Sequence, residues 1–491
     1  MTRLSAASLA SVPKGVAVPA YDRSTISPGI VHLGIGAFHR AHMAVYVDDL
    51  LKDNPDWAIV GASLRRPDTK EALEPQDGLY TVAVRDAAGT YPRVIGSILK
   101  VLDANTQREE LLALMASPHI RIVSLTVTEK GYCHDPATGE LDARHPDIVH
   151  DLANPTAPRS APGILVEALA RRHAAGIAPF AVMSCDNLPS NGATVRRIVA
   201  KLASLRDDAL GEWVGSVVAF PGTMVDRIVP STTDTDRATI AELVGAEDAW
   251  PIMTEPFTQW VIEDHFPNGR PPFELAGAQL VRDVEPFERM KLRMLNGSHS
   301  TIAYLGYLAG HQYVSEAIAD PAFAKLIHDM MTEEVMPTLD MEGVDLAAYR
   351  DQLLARFANP ALQHRTWQIA MDGSQKLPQR LLGTIRDRLA AGQGTDRLTL
   401  GVAGWMRYVM GIDENGENID VRDPLAMRML AIAADAGDDP EELFEGLAGI
   451  TEIFGEDLID NEQFGADVVD HLDSLFEIGT AETVNEVSEL E

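Results

Sequence analysis

The chain has 491 residues, 46% hydrophobic and 23% charged, the balance of a soluble globular protein with room for two domains. Its 73 Asp and Glu outnumber 41 Lys and Arg, and the formal net charge of −32 argues against nucleic acid or anionic membrane as partners. Two cysteines, Cys133 and Cys185, are too few for a disulfide framework and fit a reducing compartment.

Residues 1 to about 25 read as an irregular lead-in that lacks the long apolar core of a secretory leader. No run is long enough to span a bilayer, so the cytoplasm is the expected compartment. Ile30–Leu33 reads as a short buried strand, followed by Gly34-Ile35-Gly36-Ala37-Phe38-His39-Arg40. Glycines at such a turn let the backbone approach a pyrophosphate held at a helix N-terminus. Gly34, Gly36, Phe38, His39 and Arg40 are therefore candidate cofactor contacts. The usual third glycine is absent, with His39 in its place, and tight strand-to-helix turns also use glycine for steric reasons alone.

The next strand candidate, Ile59–Leu64, leads into Ser63-Leu64-Arg65-Arg66-Pro67-Asp68. Dinucleotide-binding folds commonly place an acid here to hold the adenosine ribose and repel the extra phosphate of NADP. Asp68 fits that role, whereas Arg65 and Arg66 suit a 2′-phosphate. Further strands are expected at Ile120–Val127 and Phe180–Ser184, and helices at Leu111–Ala116, Ile164–Ala175 and Ala193–Leu205. Such alternation implies a parallel sheet with helices on both faces.

From Lys291 onward the pattern is almost wholly helical, with turns marked at Pro321, Pro337, Pro360 and Gly392. The expected fold is α/β: a Rossmann-type, mostly parallel sheet domain over residues 1–285, then a mainly α-helical domain over 286–491. The active site is expected in the cleft between them. No Lys or Arg follows Arg428, so the end of the chain is strongly acidic and reads as solvated helix faces or a flexible tail.

Lys291-Leu-Arg-Met-Leu-Asn296-Gly-Ser-His299 carries an amine, an amide and an imidazole close together. On a regular helix at about 100° per residue, Asn296 lies about 140° round from Lys291, and His299 about 80°. A neutral lysine can take the proton of an alcohol, an amide can donate to the resulting oxyanion, and an imidazole can orient the substrate. The plainer alternative is a surface helix with a solvated Lys291 and Arg293. A lysine doing this work must lose its proton near neutral pH, far below the reference of about 10.4, which requires desolvation or a neighbouring cation. Clustered Cys and His ligands for a catalytic zinc are lacking: His39 and His42 share a helix face but read as packing residues, and Cys133-His134 has no second pair.

Six ordered segments complete the pattern: Gly34–His42, Ser124–Cys133, Met183–Asn187, Met224–Ile228, Glu255–Asp264 and the Lys291 run. Together, from about residue 25 to about residue 420, they resemble the polyol-specific long-chain dehydrogenase/reductase family, which includes mannitol 2-dehydrogenase and fructuronate reductase. The resemblance implies NAD as cofactor, with Asp68 favouring it. It makes Lys291 the acid/base, Asn187 and Asn296 the oxyanion hole, and His299 a substrate contact. It also places Asp226 near substrate, Glu129 on a proton path to solvent, and Lys376 against substrate. Read alone, Asn187 is a turn residue, Glu129 a fixed surface carboxylate, and Asp226 with Arg227 a structural ion pair.

Two features lean towards a sugar acid. Lys130 stands where mannitol dehydrogenases tend to have glycine, and His364–Arg380 resembles the fructuronate reductases. A sugar-acid carboxylate needs a cation, for which Arg293, Arg365, Lys376 and Arg380 are candidates, with Lys130 assisting; any of them can instead brace the helical domain. The sequence thus reads as a metal-independent, NAD-dependent enzyme interconverting D-mannonate and D-fructuronate. Mannitol and fructose are the alternative substrates, and a non-catalytic nucleotide-binding protein with a partner-recruiting acidic end is the reading from another class. A monomer or small homo-oligomer is expected.

Overall fold

The structure, a computed structural model of the chain, describes residues 1–135 and 138–490. The chain forms two compact units, Met1–Glu285 and Pro286–Glu491. The strands in chain order are β1 (Pro28–Leu33), β2 (Ala58–Ser63), β3 (Tyr80–Asp86), β4 (Gly89–Ile95), β5 (Ile98–Asp103), β6 (Ile122–Leu125), β7 (Ala181–Ser184), β8 (Thr223–Asp226), β9 (Ile252–Thr254), β10 (Gln259–Glu263) and β11 (Gln279–Val281).

Five of these make the central parallel sheet, in the order β5-β2-β1-β6-β7. Its strands are apolar on both faces because helices cover both. Val31, Leu33, Val123 and Leu125 point to one side and pack with Leu111, Leu112, Ile164 and Ile198 from the helices Arg108–Ala116, Ala161–Ala175 and Asn191–Arg206. Ile30, Ile59 and Ile122 point to the other and meet Ala44 and Val47 of the helix Met43–Leu50. Each fully buried aliphatic side chain of this kind contributes about 1.5–3 kcal/mol. Local signals fix the helix ends: the Ser160 hydroxyl caps Ala161–Ala175 by accepting from Gly163 N at 2.9 Å, and Gly176 closes it at φ +67°.

Strand order reverses at β1, with β2 and β5 on one side and β6 and β7 on the other. Open α/β sheets bind ligands at such a point, beyond the carboxyl ends of the strands. The first unit also carries two three-stranded sheets that the sequence pattern did not disclose, β4-β3-β9 and β11-β10-β8, in which β3/β4 and β8/β10 run antiparallel.

The second unit is helical. The buried helix Gly297–Leu308 packs against Asp396–Tyr408 and Thr366–Ala370. The acidic end is not a loose tail. Helices Pro440–Ala448, Glu462–Glu477 and Thr480–Ser488 bury Leu443, Phe444, Phe464, Val468, Leu472 and Val484, while their carboxylates face water. No helix among the described residues is long and apolar enough to cross a membrane.

Candidate active site

In the first unit the turn after β1 opens a cavity of about 790 Å³, within the range of small-molecule sites. Its walls come from residues just past four parallel strands: Gly34 and Gly36 after β1, Arg65, Arg66 and Asp68 after β2, Asn105 after β5, and Thr126, Thr128 and Lys130 after β6. Gly34 is obligatory here, since φ is +88° and a Cβ would lie 2.2 Å from the Thr126 carbonyl oxygen. Gly36 differs: a Cβ there would meet only Gly34 O, at 3.8 Å. The turn can therefore present bare backbone to a phosphate, and the cavity fits a dinucleotide. Asp68 heads the helix Asp68–Leu73, pairs with Arg66 at 3.2 Å and stays half-exposed.

The rest of the predicted cofactor set lies behind this turn. Phe38 packs in the core and stacks on His42 at 5.0 Å. His39 is buried against His32, ring on ring at 3.4 Å, and burial holds its pKa well below the usual value. His32 is likewise held neutral by burial, down to about 3, with its two nitrogens 2.8 Å from the Ser124 and Thr126 hydroxyls. Arg40 is fully buried and donates to Trp250 O at 2.9 Å, its guanidinium stacked over the Trp250 ring at 4.8 Å. Its charge thus fixes Trp250, which lines the cavity, in place of the direct pyrophosphate contact expected from sequence. Lys130 lines the cavity beside the glycine turn.

Glu129 and Lys130 lie exposed on the tight turn Glu129–Tyr132, flanked by Thr128 at φ +64° and Cys133 at φ +53°. A carboxylate the sequence reading passed over holds this strained backbone. Asp186 accepts from Val127 N at 2.9 Å, Thr128 N at 3.0 Å and the Tyr132 hydroxyl at 2.7 Å. Burial raises its pKa, and these donors oppose the rise. Asp186 immediately precedes the exposed Asn187, so the same contacts anchor the Asn187 backbone. Asp226 is buried at the end of β8, opposite Gln259. Arg227 donates to Ala41 O and to Glu255 O.

In the second unit the Lys291 run is not a regular α-helix. Lys291–Asn296 forms a π-helical turn between the α-helical segments Glu285–Met290 and Gly297–Leu308. Its i→i+5 spacing sets Asn296 above Lys291, where an α-helix would separate them by about 140°. His299, three residues further along an α-helix, continues the same face. The expected arc thus becomes a stripe. A second π-helical turn, Pro378–Leu382, lies against the first, and a Cβ on Gly297 would be 2.8 Å from Arg380 O.

Lys291 and His299 are buried, at 8% and 7% exposure. His299 Nε2 lacks a hydrogen-bond partner. Its pKa lies well below the usual value, through burial first and then the charges of Arg356, Arg380 and Lys291 beside His364. His364 sits edge-on to His299 at 5.2 Å, held down to about 4 by burial and Lys376. Arg380 donates to Ser300 Oγ at 3.1 Å, and Lys376 donates to the Ile369 and Met371 carbonyls. Lys291, Asn296, His299, Lys376 and Arg380 are thus brought into one cationic neighbourhood. Arg365 stays exposed at the head of Thr366–Ala370. Arg293 is a correction: its guanidinium pairs with Asp387 at 2.7 Å and donates to Thr338 Oγ1 at 2.8 Å, so it braces helices where a substrate contact was expected. His364, Arg356 and Asp186 are additions; the His364–Arg380 run and the Asp186-Asn187 pair hinted at the first and last, and nothing in the sequence pattern marked Arg356.

The sequence matches the mannitol dehydrogenase Rossmann domain over residues 28–275 and the mannitol dehydrogenase C-terminal domain over residues 283–476. The chain belongs to the mannitol dehydrogenase family. Members of this family are NAD-dependent oxidoreductases acting on CH–OH groups. The D-mannonate oxidoreductase of Escherichia coli is 49% identical over 96% of this chain and 97% of its own. The mannitol 2-dehydrogenase of Aspergillus terreus is 44% identical over 96% of this chain and 95% of its own. Among solved structures, the Pseudomonas fluorescens mannitol 2-dehydrogenase in ternary complex with NAD and D-mannitol superposes with a TM-score of 0.89 at 40% identity, covering 100% of both chains.

Proposed function

We propose that this member of the mannitol dehydrogenase family is a fructuronate reductase, interconverting D-mannonate and D-fructuronate with NAD. The observation that carries the sugar-acid reading is the 49% identity to the D-mannonate oxidoreductase of Escherichia coli over 96% of this chain, supported by the cations gathered around His299 and His364. Arg356, Arg380 and Lys291 act on His299, and Lys376 acts on His364, in a chain whose net charge is −32. A substrate carboxylate matches such a cationic neighbourhood better than a neutral polyol does.

Gly34, Gly36 and Asp68 would hold NAD, which would supply the hydride acceptor for a secondary alcohol. Lys291 takes the hydroxyl proton in oxidation and returns it in reduction. The Asn187 and Asn296 amides donate to the oxyanion that develops, and the unpartnered His299 Nε2 meets a substrate hydroxyl. Glu129, exposed to solvent, passes the lysine proton outward, and Asp226 and Lys376 hold the remainder of the substrate. Asp68 favours NAD over NADP by its charge.

Likeness to the D-mannitol-bound enzyme favours a second reading, mannitol 2-dehydrogenase. One experiment decides between them: NADH oxidation followed with fructuronate and fructose in parallel. Carboxylate recognition worth one charge-assisted hydrogen bond, about 1.5–3 kcal/mol, predicts kcat/KM for fructuronate at least about tenfold higher. A preference for fructose overturns the sugar-acid reading. Lys291→Ala should lower kcat by about 10²–10⁴ while NADH affinity stays unchanged, and full activity in that variant overturns the acid/base role.

A further inference from the structure

We propose that Cys133, His145 and Asp147 form a binding site for a divalent cation of the zinc class in the first unit, apart from the hydride-transfer chemistry. One donor atom from each residue lies within 4.8 Å of the others: a thiol sulfur, an imidazole nitrogen and a carboxylate oxygen. Zinc accepts that mixture, and three protein donors leave a fourth tetrahedral position for water. All three residues line the 790 Å³ cavity, which brings solvent to that position.

The chain is folded to create this neighbourhood. Asp142 N donates to Cys133 O at 2.9 Å, and His134 bridges Leu141, so the excursion after Cys133 closes on itself. His145 N then donates to Asp142 O at 3.0 Å, and His145 caps the helix Pro146–Ala153. Cys133 holds a left-handed φ of +53°, a strained conformation that recurs at functional positions. The partner in sequence, His134, is not in the cluster.

His145 already shows which nitrogen faces inward. Nδ1 accepts from Asp147 N at 3.2 Å and lies 3.9 Å from Asp147 Oδ2, close enough for the nitrogen and the carboxylate to share one ion. A metal takes the Nδ1 lone pair in place of the backbone N–H. Binding exchanges the Cys133 S–H proton for a metal–sulfur bond, releasing one proton with no change of oxidation state.

The test uses untagged full-length protein, dialysed against a chelator and titrated with Co²⁺. The expected result is a thiolate-to-cobalt charge-transfer band that saturates at one equivalent and is displaced by Zn²⁺. It is lost in Cys133→Ser and His145→Ala and kept in Cys185→Ser, the chain's other cysteine, buried just past β7. Zn²⁺ should raise the Tm of the wild type and of Cys185→Ser, and leave that of Cys133→Ser unmoved. Should Cys133→Ser fail to fold, Asp147→Asn and His145→Ala carry the same comparison. Absence of the band, its survival in Cys133→Ser, or its loss in Cys185→Ser overturns the site. Neither result depends on which sugar the enzyme reduces.

Discussion

Alanine placed at Gly34 and at Gly36, one at a time, separates two tasks performed by a single turn. At Gly34 the left-handed φ costs an L-residue about 1–2 kcal/mol, and overpacking adds about 1–3. The second cost is certain to appear, because the new Cβ would sit 2.2 Å from Thr126 O, on backbone that has no rotamer to escape into. Together they predict a loss of about 2–5 kcal/mol, or about 4–10 °C in Tm for a unit of this size. At Gly36 the backbone is extended at φ −95°, and the nearest atom to a Cβ is 3.8 Å away. There alanine restricts the unfolded chain and stabilises by about 0.4–1 kcal/mol. Its methyl nevertheless projects into open space on the cavity wall, where a phosphate must reach the backbone. NADH affinity should fall by about tenfold or more, equal to about 1.4 kcal/mol. Thermal melts and NADH fluorescence titrations measure both quantities on the same samples. Wild-type NADH affinity in Gly36→Ala would refute the assignment of this turn to the cofactor, and a wild-type Tm in Gly34→Ala would refute the steric argument.

Arg293→Ala should destabilise the protein by about 1–2 kcal/mol, less than a buried pair because Asp387 is 52% exposed, and leave the KM for fructuronate unchanged. Denaturant titration and steady-state kinetics check both halves; a raised KM with intact stability would return Arg293 to the substrate. His32 gives a pH prediction. Its folded pKa of about 3 lies below the unfolded value of about 6.5, so its contribution is present above pH 6.5 and lost as pH falls towards 3. At pH 5 the unfolded imidazole is protonated and the folded one is not, which withdraws about 2 kcal/mol. His32→Asn should therefore lose about 2 kcal/mol less than the wild type between pH 7 and pH 5, and equal losses would show that the ring titrates freely.

The central sheet was legible because β1, β2, β6 and β7 are short, mostly apolar runs set between helical patterns, and burial on both faces confines their polar residues to a few positions such as His32 and Ser124. β9 and β11 were not, since each has three residues, too few for a period of two to declare itself. Their extension is imposed by register, Val82 against Ile252 and Val261 against Gln279, and those partners are remote in sequence. The acidic end was ambiguous for a related reason. Composition announces solvated carboxylates, but only the spacing of Phe464, Val468, Leu472 and Leu475 along one helix shows that the opposite face is core.

For the site, residue identity was legible and allegiance was not. Arg40 and Arg293 look in sequence like cations awaiting an anionic ligand. Their partners, the Trp250 carbonyl and Asp387, are brought to them only by folding. Lys376 and Arg380 look the same, and folding gives them the Ile369 and Met371 carbonyls and the Ser300 hydroxyl while setting them near His364 and His299, whose Nε2 is buried and lacks a partner. The π-helical turn is the deciding element. A regular helix would have spread Lys291 and Asn296 by about 140° and placed the amide away from the amine. One wider turn stacks them and continues the stripe to His299. Such a turn forgoes regular i→i+4 hydrogen bonding, and it persists where packing holds it. Here the second π-helical turn, Pro378–Leu382, supplies that support, through a backbone approach to Gly297 that leaves no room for a Cβ. The glycine after Asn296 therefore supports the stripe of Lys291, Asn296 and His299 from beneath. Gly297→Ala should disturb turnover as well as stability, whereas a purely structural glycine would affect stability alone.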